Sequence, residues 1–82
     1  MPRQKKMRTY ATRDNPLTKV FSQRLREWRG DNGKKLREMA SDLGVSLSIV
    51  SEWEHCHRFP SVKHLYKLAQ YTGIAASDFI RL

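Results

Sequence analysis

Residues 36–54, LREMASDLGVSLSIVSEWE, constrain this chain more than any other stretch. They read as two short helices joined by one fixed bend. Ala40, Gly44, Val45, Val50 and Trp53 hold the small, turn and core positions of that arrangement. Ala40 has no bulk beyond its β-carbon, so the second helix can approach closely. Gly44 supplies a positive φ at the bend, which residues carrying a β-carbon resist. Val50 and Trp53 lie three apart on one helical face and can pack the second helix back onto the first.

The flanking sequence extends this helical period in both directions. Phe21, Leu25 and Trp28 recur at four and three, which predicts a first helix from about Leu17 to about Arg29. Gly30-Asp31-Asn32-Gly33 ends it with turn chemistry. Leu36, Met39, Ala40 and Leu43 stripe the second helix, and Ser46 is the expected cap of a third that runs to about His55. Pro60-Ser61 opens a fourth, with Ser61 as cap, Leu65, Leu68 and Ala69 inward, and Gly73 at its close. A last turn beginning near Ser77 carries Phe79 and Ile80. No segment alternates strictly enough for a strand, so the expected fold is all-α with five helices.

Residues 1–16 differ in kind. Arg3, Lys5, Lys6, Arg8 and Arg13 face a single acid, Asp14, and core-forming side chains are nearly absent. Asp14-Asn15-Pro16 breaks any local helix, because a residue before proline avoids the α region. The segment reads as a flexible basic arm ahead of one domain over 17–82, since its composition cannot bury enough surface to offset chain entropy.

Composition limits what such a domain can do. A formal charge of +8 over 82 residues points to a polyanionic partner, although many small basic proteins are simply soluble. The single cysteine excludes an internal disulfide and fits a reducing, cytoplasmic setting. No apolar run approaches the roughly 18–20 residues needed to span a bilayer, and MPRQKKMR is not followed by the apolar stretch of a secretory signal. There is no Gly-rich phosphate loop, no paired carboxylates in an apolar setting, and no nucleophile with a base partner. Neither catalysis nor an organic cofactor is expected. His55-Cys56-His57 are consecutive at a helix end and cannot all converge on one ion. Only His64 lies near, so no metal site is expected. Cys56 reads as a small, buried or half-buried filler.

Two helices about such a bend form a helix-turn-helix, which places its second helix in the DNA major groove. With LREWRG at 25–30 and SEWEHCHRFPSVKHLYKLAQYTGI at 51–74, the motif at 36–55 resembles the lambda-repressor-like (Cro/CI, XRE-type) DNA-binding domains. The resemblance runs from about Phe21 to Leu82. It implies a five-helix domain that binds double-stranded DNA, commonly as a two-fold dimer on half-sites about 34 Å apart. It also places an ion pair between Arg29 and Glu54, joining the first helix to the third. Arginine suits that place because its planar fork can hold a carboxylate through two parallel bonds.

The same resemblance assigns the DNA-facing surface. Leu47, Ser48 and Glu52 take the positions that most often touch base edges. Leu47 suits a thymine methyl, Ser48 any base, and Glu52 a cytosine amino group. Ser46 and Ser51 are candidates for phosphate, as are His55 and Arg58 at and beyond the helix end. Three departures stand out: Leu36 replaces a glutamine that clasps phosphate, Lys35 a capping threonine or serine, and Cys56 a common glycine. Lys34, Lys35 and Arg37 are the substitute phosphate contacts. In the arm, Arg3, Lys5, Lys6 and Arg8 are candidates for the backbone or a minor groove. These features predict a cytoplasmic, nucleoid-associated, sequence-specific regulator that dimerises through Phe79, Ile80 and Leu82. The alternative is a protein-interaction module with only non-specific DNA binding, which Leu47, Ile49 and Glu52 favour.

Overall fold

A computed structural model describes residues 15–82. The chain forms α1 (Pro16–Asp31), α2 (Leu36–Leu43), α3 (Leu47–Glu54), α4 (Val62–Thr72) and α5 (Ala76–Phe79), with no strand among the described residues. The expected flexible arm lies outside them, apart from Asn15 and Pro16. Asn15 is extended, as a residue before proline should be, and the pair also starts the helix that follows. The Asn15 side chain accepts from the Leu17 amide at 2.8 Å. Pro16 follows in the first turn, where its missing N–H costs nothing and its fixed φ is already helical. α1 therefore begins one residue earlier than expected and continues two residues beyond Arg29.

α2 lacks a side-chain acceptor at its cap, because Lys35 carries only donors. Glu38 compensates: its carboxylate accepts from the Lys35 amide at 2.8 Å, which is one half of a capping box. Ser46 and Ser61 cap α3 and α4 directly, each accepting at 3.2 Å from the amide three residues on. The helix starts are thus mostly local chemistry, as the sequence indicates.

Three helix ends share one device. At the close of α1, Lys34 N–H reaches Arg29 C=O. At the close of α2, Val45 reaches Ala40, and at the close of α3, His57 reaches Glu52 at 2.9 Å. Each is the six-to-one bond of a Schellman motif, which needs a left-handed residue just before its donor. Gly33 and Gly44 fill that place in the first two; Cys56, at φ 62°, fills it in the third and is the one non-glycine with positive φ among the described residues.

Nine buried side chains form the core: Phe21, Leu25, Met39, Ala40, Leu43, Val50, Trp53, Leu68 and Phe79. Phe21 sits at its centre, 6.3 Å edge-on from Trp53 and 5.5 Å from both Phe59 and Phe79. One α1 residue therefore ties α3, the loop after it, and α5 together. α3 packs on α2 and α1, which fixes its inner face and leaves the outer one free. Phe79 is fully buried, so it is unavailable for the dimer contact expected of it; Leu82 remains 79% exposed. The short α5 turn is spent on closing the core.

Candidate nucleic-acid interface

With Val50 and Trp53 turned inward, α3 presents Leu47, Ser48, Ser51 and Glu52 on its outer face, with His55 at its end. Leu47 keeps 45% of its surface exposed. Ile49 is half-buried against the core and offers less to a partner than its sequence position implies. The Ser46 hydroxyl accepts from the Ile49 amide, yet its proton can still be donated outward, as a phosphate would require. The His55 ring donates from Nδ1 to the Ser51 carbonyl at 2.7 Å, which leaves Nε2 for another partner.

Below this face, two arginines of α1 fix the end of α3. Arg29 holds Glu54 through Nε at 2.6 Å and Nη2 at 3.0 Å, and Arg26 donates to the Glu54 carbonyl at 2.8 Å. Glu54 is 3% exposed and Arg29 27%. The hydrogen bond to Glu54 holds the Arg29 pKa above its ordinary value. The third donor of Arg29 reaches the Lys34 carbonyl, so one side chain joins the end of α1, the approach to α2 and the end of α3. This clamp sets the angle at which α3 projects.

Lys34 is placed differently from Lys35 and Arg37. Its ammonium lies 3.2 Å from Asp42 and 5.9 Å from the centre of the Tyr71 ring, and the Tyr71 hydroxyl donates to Asp42 at 2.6 Å. Tyr71 in turn packs on Trp28 at 5.2 Å. Hydrogen bonds from Tyr71, then from Lys34, hold the Asp42 carboxyl below its usual range. Burial, then the bond to Asp42, pushes the Tyr71 phenol up. Lys34 thus braces α2 against α4. Lys35 and Arg37 are exposed, and among the described residues neither pairs with an acid.

Glu52 also has a partner that the sequence does not announce. Arg58 Nε lies 2.6 Å from Glu52 Oε1, with the two side chains 54% and 40% exposed. The Schellman turn at Cys56 folds the chain back so that Arg58 lies beside the outer face of α3. Its geometry depends on a left-handed residue where the sequence shows a cysteine, and the one signal for that is the glycine common at this place in the family it resembles. Lys63, in the first turn of α4, is a further exposed cation. Arg3, Lys5, Lys6 and Arg8 lie outside the described residues. No group of three His, Cys, Asp or Glu side chains is placed to hold a metal among the described residues. No helix among them is long and apolar enough to cross a membrane.

A family model described as a helix-turn-helix domain matches residues 22–82. The chain belongs to that family, and the order of the five helices among the described residues is that of the lambda-repressor-like domains. Such a domain is a DNA-binding fold and is typically not an enzyme. No curated protein and no solved structure matches the chain.

Proposed function

We propose that this protein binds double-stranded DNA sequence-specifically and acts as a small, repressor-like transcriptional regulator that reads the major groove with α3. One observation carries the reading. Each acid on α2 and α3 is engaged within the fold: Glu38 by the Lys35 amide, Asp42 by Tyr71 and Lys34, Glu52 by Arg58, Glu54 by Arg29. Lys35 and Arg37 are left facing outward beside the helix that carries Leu47 and Ser48. Such a surface attracts a phosphate backbone while its small and apolar side chains meet base edges.

In this reading Lys35, Arg37, Ser46, Ser51 and His55 position the backbone, and Leu47 and Ser48 meet bases. Lys34 serves the fold instead. Arg3, Lys5, Lys6 and Arg8 add contacts along the backbone or in a minor groove. Two copies bind as a dimer, in which Leu82 and the half-buried Ile80 remain for self-association where Phe79 does not.

A second reading rests on Leu47, whose exposure at the start of α3 also suits a protein partner. Selection of bound sequences from a random duplex library, at low and near-physiological salt, separates the two. The DNA reading predicts a recovered motif, arranged as an inverted repeat with half-sites about 34 Å apart if two copies bind. Salt-sensitive binding without any motif would overturn it in favour of an interaction module.

A further inference from the structure

The outer face of α3 has no Gln, Asn or Arg to read a purine, yet an arginine is held beside it. We propose that Arg58, oriented by Glu52, is the purine-reading residue of this interface and contacts a guanine in the major groove. The proposal rests on the major-groove reading above and deepens it.

The geometry of the pair is specific. A guanidinium offers two different edges, one containing Nε and one formed by the two Nη groups. Glu52 engages Arg58 through Nε. The Nη pair donates to no group among the described residues. That edge carries the parallel donors that match guanine O6 and N7. A carboxylate on Nε holds the plane of the fork and reduces the side-chain entropy that a long arginine would otherwise lose on binding.

Stability gives no competing reason for the contact. With both partners about half exposed, an ion pair of this kind contributes little to folding. The local backbone brings Arg58 there through the cap of α3. The bond from His57 N–H to Glu52 C=O closes α3 through a left-handed Cys56, and the next residue is Arg58. Glu52 itself is thereby removed from the role of cytosine acceptor. Left unpaired beside phosphates it would repel them; paired, it becomes a positioning residue.

The test compares duplexes selected by the wild type, Arg58→Lys and Glu52→Gln, followed by affinity measurements on the wild-type motif with single guanines replaced by 7-deazaguanine. The wild type is expected to fix at least one guanine and to lose on the order of tenfold when the N7 of that base is removed. Arg58→Lys keeps the charge but not the fork, so preference at that one position should fall by a similar factor while other positions hold. Glu52→Gln should weaken preference at the same position and raise affinity for random duplex, because a released arginine is free to meet phosphate. A purely structural role for Glu52 would not produce those opposite changes. A wild-type motif that Arg58→Lys leaves intact at every position would overturn this proposal and leave the major-groove reading standing. Failure of the wild type to select any motif would overturn both.

Discussion

Cys56 sits where L-residues pay a steric penalty of about 1–2 kcal/mol, which glycine escapes. Glycine also costs more to order from the unfolded chain, by roughly 0.5–1 kcal/mol. The steric effect is the larger. Cys56→Gly should therefore stabilise the fold by about 0.5–1 kcal/mol, and Cys56→Val should destabilise it, as read by urea denaturation. Equal stability of all three would mean that the left-handed turn is not the native conformation. The Arg29–Glu54 pair calls for a different experiment. Arg29→Met strands a carboxylate that is only 3% exposed and should cost about 2–3 kcal/mol, below the roughly 3–5 of a fully desolvated pair because Arg29 keeps 27% exposure. Adding Glu54→Leu to Arg29→Met removes the stranded charge and should recover most of that loss. A double variant as unstable as the sum of the singles would show that the two groups do not act as a pair.

At the scale of elements, the caps and the corner between α2 and α4 carry the sharpest consequences. Ser46→Ala removes the acceptor for the Ile49 amide at the start of α3 and should cost about 1 kcal/mol in thermal or urea unfolding. The Tyr71–Asp42 contact predicts a pH signature. Asp42 is depressed below its ordinary 3.8, so its contribution is present above that value and is lost as pH falls through the folded-state value. Tyr71 is raised above its ordinary 10.0, so its contribution is present below that value and is lost as pH rises through the folded one. Tyr71→Phe should consequently lower Tm most between about pH 4 and pH 10, with the gap to wild type closing on either side. A gap independent of pH would exclude the hydrogen bond as its source.

The same elements show what the sequence carries and what it withholds. Helix starts were legible because Ser46 and Ser61 act on amides three residues away, and the core stripes because burial follows the helical period. Asn15-Pro16 carries two signals at once, since the same dipeptide that disfavours a preceding helix is well suited to begin a following one. The Arg29–Glu54 clamp entered through family resemblance. Glu52–Arg58 and Asp42–Tyr71 were invisible: the first depends on a left-handed cysteine, and the second spans 29 residues and depends on how α4 packs. Phe79 was misassigned because an apolar residue near a terminus serves a core or a partner equally well, and only packing decides.

For the whole molecule, charge placement governs how binding responds to salt. Each phosphate contact neutralised by a lysine or arginine contributes about 0.9 to the slope of log affinity against log salt. Lys35→Gln and Arg37→Gln should each lower that slope by about this amount. Lys34→Gln should leave it nearly unchanged, because its ammonium is held by Asp42. Among the described residues, the acids outside α2 and α3 gather elsewhere: Glu27, Asp31 and Asp78 line a groove with Arg24, Trp28, Ile74 and Arg81. That mixed-charge surface is poorly suited to a phosphate backbone.

The most direct measurement is therefore a map of backbone amide chemical shifts during titration with a short random-sequence duplex at low salt. If α2 and α3 form the DNA face, perturbations will concentrate at Lys35, Arg37, Ser46 to Ser48, His55 and Arg58 and will spare the groove around Arg24 and Asp78. Perturbations centred on that groove, with α3 silent, would contradict the assignment of the DNA face.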